Sequence, residues 1–181
     1  MKKPFLSDRG VIRPVKNLTP EVARKIAAGE VIDRPNAVVR ELMDNAIDAG
    51  SYSITVEITG GGIDSICVSD DGIGLSKEDL EHCAKPHATS KIEHETDLLK
   101  LSTLGFRGEA LASIAAVSRL DITSRRKEEK HGWHLHAEVA KDYDIEPAIL
   151  ERGTKVQSSG LFENFPARRL FLKRPASEGN L

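Results

Sequence analysis

The segment from Pro35 to Gly50 constrains the fold more than any other part of the sequence. It has the length and spacing of a single helix, opened by a proline and stopped by a glycine. Six apolar side chains share one broad face of this helix: Val38, Val39, Leu42, Met43, Ala46 and Ile47. A helix with such a face needs a second apolar surface, so we expect it to pack against a sheet.

The residues that follow predict the strands of that sheet. Apolar side chains alternate at Tyr52, Ile54, Val56 and Ile58, the turn Gly60–Gly62 follows, and IDSICVS returns as a second strand. RLDITS and WHLHAEV are predicted strands joined by the charged turn RRKEEKHG, and GTKVQSS is another.

Further helices are predicted on both sides of these strands. Thr19 and Pro20 open the segment PEVARKIAAGE, and Ser76 begins a short helix with a capping-type pattern. A helix of small residues is predicted at 108–117, and a last helix is predicted in the tail PARRLFLKR. The order helices, strands, helix, strands predicts an α+β fold, a two-layer sandwich with helices on one face of a mixed, mostly antiparallel sheet.

Length and composition restrict the class of protein. The 181 residues suit one large domain, which we place at 19–181 behind an irregular amino-terminal arm at 1–18. A net charge of −2 with 30% charged residues excludes bulk disorder and a polycationic nucleic-acid wrapper. Two cysteines exclude a disulfide framework and favour a reducing compartment. No apolar run has the length of a membrane span, so no membrane partner is expected.

Opposite the apolar face of the Pro35 helix lies an acidic stripe. Glu41, Asp44, Asn45 and Asp48 are spaced at i, i+3, i+4 and i+7. One interpretation is a solvated helix face. The other is an oxygen-rich wall for a hard cation, with one carboxylate left as a general base for water. The stripe alone leaves both open.

Two glycine-containing segments have the character of ligand loops. Asp70, Gly72 and Gly74 follow a strand, where glycines permit close approach of a ligand and an aspartate can accept from an exocyclic amine; an ordinary Asx turn is the alternative. Gly105–Glu109 directly precedes a helix, an arrangement that binds phosphate oxygens, with Arg107 able to add a charged contact; a simple glycine turn is the alternative. Neither common phosphate-loop signature is present.

Several strings in the sequence resemble one protein family. RELMDNAIDAG, DDGIG, GFRGEALASI and the late Gly153-Thr154 resemble the four motifs of the GHKL ATPase superfamily, which includes gyrase B subunits, heat-shock chaperones and histidine kinases. Together with IAAGEVIDRP, HATSKI and PARRLFLK they resemble the MutL family of DNA mismatch-repair proteins. The resemblance runs from about Asn17 to Arg174 and implies the GHKL, or Bergerat, ATP-binding fold.

The resemblance implies a role for each matching residue. Glu41 is the general base that activates water toward the γ-phosphate, and Asn45 is a ligand of Mg²⁺ bound with ATP. Asp70 accepts from the adenine amino group with support from Thr154, while Gly72 and Gly74 let the backbone approach the nucleotide. A lid segment contributes Thr89, Ser90 and Lys91, and its far end cradles the phosphates with Gly105, Phe106, Arg107, Gly108, Glu109, Ala110 and Leu111.

The resemblance also implies a biological setting. We expect a slow, magnesium-dependent ATPase whose nucleotide orders the lid and pairs two protomers, as a switch in mismatch repair with mismatch-recognition proteins, downstream repair proteins and DNA phosphates as partners. The expected location is the bacterial cytoplasm at the nucleoid, or the nucleus of a eukaryote. A second domain that supplies a lysine in this family is expected beyond the given chain. The alternatives are a non-hydrolysing nucleotide- or DNA-binding module and a gyrase-like ATPase.

Other conspicuous residues receive plainer interpretations. His131, His134 and His136 are interpreted as surface strand histidines rather than metal ligands, and Cys67 as a buried small hydrophobe. The basic end of the chain is either a solvated or interdomain helix or a DNA-facing surface; its residues are Arg168, Arg169, Lys173 and Arg174. Glu163 and Phe165 have no role that the resemblance assigns.

Overall fold

A computed structural model describes residues 17–83, 110–138 and 143–172 of the chain. Most of the amino-terminal arm and the predicted lid residues Thr89, Ser90 and Lys91 lie outside these ranges, as does the predicted phosphate loop Gly105–Glu109.

The described residues form five α-helices and six strands. The helices are α1 (Pro20–Val31), α2 (Pro35–Asp48), α3 (Lys77–Cys83), α4 (Ala110–Val117) and α5 (Pro166–Arg169). The strands are β1 (Ile54–Thr59), β2 (Ser65–Asp70), β3 (Arg119–Arg125), β4 (Gly132–Ala137), β5 (Asp144–Ala148) and β6 (Gly153–Ser159). A single 3₁₀ turn at Gly60–Gly62 joins β1 to β2.

The strands form one sheet in the order β1-β2-β6-β3-β4-β5. Every pairing among the described strands is antiparallel. The late strand β6 is inserted between β2 and β3, so the centre of the sheet joins segments that are far apart in the sequence. This arrangement confirms the predicted α+β sandwich and its predominantly antiparallel sheet.

Local signals explain where the first helices begin. The Thr19 side chain accepts a hydrogen bond from the Val22 N–H at 3.4 Å, and Pro20 occupies the first turn of α1. Pro35 opens α2 in the same way, and Gly50 has the positive φ of 69° that ends it. In α3, the Ser76 hydroxyl accepts from the Asp79 N–H at 3.1 Å, and the Asp79 carboxylate accepts from the Ser76 N–H at 3.3 Å. The three predicted helix starts are confirmed.

The helices cover one face of the sheet. The core cluster joins buried residues of α1, α2, α3 and α4 to strand residues of a single alternation class: Ile66, Val68, Leu120, Ile122, Leu135, Ala137 and Val156. The opposite alternation class forms an open polar face that includes Asp121, Thr123, His134 and His136. The molecule therefore has two layers, with the apolar core between helices and sheet.

Several sequence-based expectations need correction. Met43 and Ile47 were predicted on the apolar face of α2, but their exposed fractions are 37% and 60%, because the sheet covers only the narrower strip around Val38, Leu42 and Ala46. Strand β5 was not predicted. It contains Pro147, which it tolerates because it is an edge strand. The predicted tail helix is limited to the four residues of α5. No helix in the described ranges combines the length and apolarity that crossing a bilayer would require.

Candidate functional site

Three polar residues stand side by side at one end of the sheet, on the face that the helices cover. Asp70 of β2 is paired with Thr154 of β6, and Thr154 is paired with Ser124 of β3. Ser124 Oγ lies 2.9 Å from Thr154 Oγ1 and accepts a hydrogen bond from the Leu75 N–H at 2.7 Å. We call Asp70, Thr154 and Ser124 the polar rung. On each strand the rung residue lies on the same face as the buried core residues, so hydrogen-bonding groups replace apolar side chains at this end of the sheet.

The carboxyl-terminal end of α2 is attached to this rung. Ser51 Oγ lies 2.6 Å from the Ala46 carbonyl oxygen and 3.2 Å from Asp70 Oδ1, so it bridges helix and carboxylate. The Ile73 N–H also donates to the Ala49 carbonyl at 3.0 Å. Asn45 directly precedes Ala46 on α2, and Glu41 lies one turn further back, about 6 Å along the helix axis at ~1.5 Å per residue. Asp70 of β2 therefore lies beside the carboxyl-terminal end of α2, and Asn45 and Glu41 follow in that order toward the start of the helix.

The neighbouring aspartates Asp70 and Asp71 have different environments. Burial raises the pKa of Asp70 above its usual value, although hydrogen bonds from the Gly72 N–H, Ser51 and the Thr154 N–H oppose the shift. The Asp71 carboxylate instead accepts from the N–H groups of Tyr52 and Ser53 at 2.8 and 2.9 Å. These two bonds lower the pKa of Asp71. Asp71 thus fastens the connection between α2 and β1, and Asp70 is the carboxylate inside the fold.

The glycines around the rung are explained by contacts within the protein. Gly74 has φ 73°, and a Cβ there would overlap the Arg125 carbonyl oxygen of the β3–β4 hairpin. Gly153 has φ 117°, and its Cβ would overlap the backbone carbonyl of Asp70. At Gly72 a Cβ would lie 2.8 Å from both Ala49 Cβ and Ser51 Oγ. All three glycines let backbone segments meet at the rung, a reason that requires no ligand.

The acidic stripe of α2 is not uniformly exposed. Glu41, Asp44 and Asn45 are half-buried, whereas Asp48 is exposed. The Glu41 side chain is 20% exposed, and its Oε1 lies 3.4 Å from Nη2 of Arg40. Among the described residues no group of three or more His, Cys, Asp or Glu side chains is arranged to hold a metal ion. The half-buried carboxylate and amide oxygens of the stripe are of the ligand type that Mg²⁺ prefers.

The remaining predicted site residues are only partly described. Ala110 and Leu111 are half-buried in the first turn of α4, which packs against α1 and β3. The other predicted phosphate and lid contacts lie outside the described residues: Thr89, Ser90, Lys91, Gly105, Phe106, Arg107, Gly108 and Glu109.

Sequence reasoning missed one member of the rung, Ser124, and two residues that bond to the rung and its loop, Ser51 and Arg152. Ser51 and Ser124 bond to its carboxylate and its threonine, and Arg152 Nε donates to the Gly72 carbonyl at 3.0 Å. The position of Ser124 at the polar end of RLDITS, after buried Leu120 and Ile122, was a usable signal because strand alternation places it on the core face. Nothing local distinguishes the contacts of Ser51 with Asp70 and of Arg152 with Gly72, because their partners lie 19 and 80 positions away in the sequence.

The family model for histidine kinase-, DNA gyrase B- and HSP90-like ATPases matches residues 33–160. The chain belongs to this ATPase family. Within it, the chain is 52% identical over 93% of its length to the DNA mismatch repair protein MutL of Treponema pallidum (strain Nichols), of which it covers 29%. It is 53% identical over 92% of its length to MutL of Syntrophomonas wolfei, of which it covers 28%. The resemblance to the MutL family is thereby confirmed.

Solved structures agree with this assignment. The Aquifex aeolicus MutL ATPase domain complexed with ADP matches 83% of this chain and 52% of its own, with a TM-score of 0.65 and 32% identity. The amino-terminal domain of a DNA repair protein matches 82% of this chain and 42% of its own, with a TM-score of 0.68 and 31% identity. The chain spans less than a third of the MutL proteins that it matches, so the activity and partners of a whole MutL are proposals here.

Proposed function

We propose that this chain binds ATP with Mg²⁺ and hydrolyses it slowly. The observation that carries the proposal is the junction of the polar rung with α2, which puts a half-buried aspartate beside the helix that bears Glu41 and Asn45. Membership of the ATPase family and the ADP complex of the Aquifex MutL domain support the same ligand class.

The rung is proposed as the adenine end of the site. The half-buried carboxyl group of Asp70 accepts a hydrogen bond from the exocyclic amine of adenine. Thr154 stands next to it and is oriented by Ser124, 2.9 Å away. The bond from the Gly72 N–H to Asp70 Oδ1, at 2.8 Å, fixes the carboxylate and the adjacent loop together. Gly72 and Gly74 are proposed as the backbone wall of this end.

The stripe of α2 is proposed as the phosphate end. Asn45 offers an amide oxygen to the Mg²⁺ that accompanies ATP and that neutralises charge on the triphosphate. Glu41, one turn away, is half-buried and is proposed as the carboxylate that accepts a proton from the attacking water. Ala110 and Leu111 at the start of α4, with the predicted lid and loop residues, are proposed to bind the phosphates.

Glu41→Ala tests the proposal. We expect ATP to bind the variant as it binds the original chain, with hydrolysis reduced at least about a hundredfold because the base contributes to the reaction and not to binding. Glu57→Ala, which removes an exposed carboxylate from β1 outside the proposed site, is the control and should keep its turnover. Binding is measured by calorimetry and hydrolysis by phosphate release. Equal turnover in Glu41→Ala and the original chain would contradict the role of Glu41.

The wider role follows from the MutL family. We propose that bound ATP orders the lid and the amino-terminal arm, and that this surface pairs two protomers in a mismatch-repair switch. The proposed partners are mismatch-recognition and downstream repair proteins, together with DNA phosphates, and the proposed location is the bacterial cytoplasm. If ATP binds but no variant or condition gives turnover above Glu41→Ala, the chain is instead a nucleotide-sensing module.

A further inference from the structure

The turn that follows β6 touches the carboxyl-terminal end of α4. Phe162 is fully buried and is the only non-glycine among the described residues with positive φ, at 58°. Its N–H donates to the carbonyl of Val117, the last residue of α4, at 2.8 Å. A buried aromatic residue is strained in this conformation, so the turn is held by its surroundings.

Arg168, six residues later, touches the corresponding end of α1. Its Nη1 donates to the carbonyls of Gly29 and Ile32 at 2.5 and 3.2 Å. α1 has no basic residue in its own last turn, so Arg168 supplies both donors and positive charge to that helix end. The guanidinium also lies 5.6 Å from the centre of the Phe162 ring, which joins the two contacts.

The absence of a side chain at Gly29 leaves space for the Arg168 guanidinium. A glycine inside a helix weakens it relative to alanine. At Gly29, however, a Cβ would overlap the Arg168 guanidinium. The glycine of the string IAAGEV is therefore the space that the arginine occupies. Arg168 therefore contacts α1 within the described structure, while Arg169 is exposed.

The two helix ends that the turn holds belong to neighbouring helices. α1 packs against α4, and both contribute to the single core cluster. The first turn of α4 contains Ala110 and Leu111, which are proposed phosphate contacts. Because α4 is a rigid helix of eight residues, the hydrogen bond at Val117 also helps to fix the position of its first turn.

We propose that Arg168 is a positioning residue for the phosphate end of the nucleotide site. Arg168 bonds to the carboxyl-terminal end of α1 and Phe162 to that of α4, and we call this pair of contacts the clasp. The clasp fixes the position of the first turn of α4. This inference rests on the proposed ATP binding. The adenine end is held separately, by the rung and by the end of α2, so losing the clasp affects the phosphates and leaves adenine recognition intact.

Arg168→Ala and Gly29→Ala test the clasp on the full 181-residue chain. We expect each to weaken ATP binding about tenfold by calorimetry, while adenosine binding, followed by NMR, changes less than about twofold. The double variant should be no weaker than either single variant, because both changes remove the same contact. Arg119→Ala is the control. It breaks the exposed 2.6 Å ion pair with Glu163 in the same turn without touching α1, and should leave both affinities unchanged.

The outcomes separate this inference from the proposed function. If the original chain binds neither ATP nor adenosine, the proposed function is wrong and the inference is overturned with it. If the original chain binds ATP but Arg168→Ala changes both affinities equally or changes neither, only the inference is overturned. Additive losses in the double variant would also overturn it. A selective, non-additive loss of ATP affinity supports it.

Discussion

Two polar clusters lie on opposite faces of the same sheet. On the helix-covered face, Asp70 belongs to the polar rung beneath α2. On the open face, Asp121 accepts from His136 Nδ1 at 2.7 Å and lies 3.1 Å from His134 Nε2. Each cluster has an aspartate on a strand with polar partners on neighbouring strands. Residue types alone therefore do not show which of the two is the candidate functional site.

The two clusters differ in burial at Ser124, which is fully buried, whereas Asp121, His134 and His136 on the open face are all partly exposed. Burial raises the pKa of Asp70, although the hydrogen bonds from Gly72, Ser51 and Thr154 oppose this shift. On the open face the Asp121 hydrogen bond raises the pKa of His136, whose side chain is 41% exposed. A polar cluster becomes a candidate site when the fold desolvates and braces it, and remains a surface feature when water reaches it.

The largest expected effect comes from filling the space at Gly153. Gly153→Ala puts a Cβ onto the Asp70 carbonyl at a φ of 117°, so we expect a loss of about 3 kcal/mol or more in the free energy of unfolding. Gly50→Ala, at a φ of 69° with open space around it, isolates the conformational strain and should cost about 1 kcal/mol. Urea unfolding measures both; equal losses would mean that the rung does not depend on this close approach.

Nucleotide binding should distinguish the two aspartates directly. Asp70→Asn replaces a carboxyl group, whose two oxygens can both accept, with an amide that has one acceptor and one donor, and we expect ATP affinity to fall at least about a hundredfold. Asp121→Asn makes the same change on the open face and should leave the affinity unaltered. Calorimetry measures the ATP affinity of both variants. An unchanged affinity in Asp70→Asn would show that Asp70 does not bind adenine.

The bracing of the rung can be measured at Ser124. Ser124→Ala leaves the half-buried Leu75 N–H without its 2.7 Å acceptor, so we expect a loss of about 2 kcal/mol in the free energy of unfolding. Thr123→Ala changes the adjacent residue on the open face and should cost about 0.5 kcal/mol. If the two urea midpoints shift equally, the burial argument for the rung is wrong.

The smallest effect concerns the histidines of the open face. Asp121→Asn should lower the pKa of His136, which an NMR titration measures directly. Because the folded pKa lies above the usual 6.5, the stabilisation from this pair is complete below that value and is lost as pH rises through the folded pKa. Glu146→Gln changes a partner of His134 and should leave the pKa of His136 in place. A pKa of His136 that does not respond to Asp121→Asn would contradict the assigned cause.

Much of the architecture was predictable because its signals are local. Thr19, Pro20 and Pro35 marked the helix starts, and alternation with Gly60–Gly62 marked the first hairpin. The same local reading failed where neighbours decide: Met43 is apolar yet exposed, and β5 accommodates Pro147 only because it is at the sheet edge.

The candidate site divides in the same way. The motif residues Glu41, Asn45 and Asp70 were named from the sequence, and their roles remain predictions. Their braces Ser51 and Ser124 were not named, since a serine becomes informative only when its partner is known.

The sequence by itself determined most of the helices and strands, the family and the identity of the acidic helix, because periodicity, caps and motif strings act over a few neighbouring residues. Tertiary structure alone decided that residues 70, 124 and 154 form one rung, and that Arg168 occupies the space left by Gly29. These contacts join residues that are tens of positions apart. Strand register and core packing, which sum many weak interactions across the whole domain, fix them, and no local pattern encodes that sum.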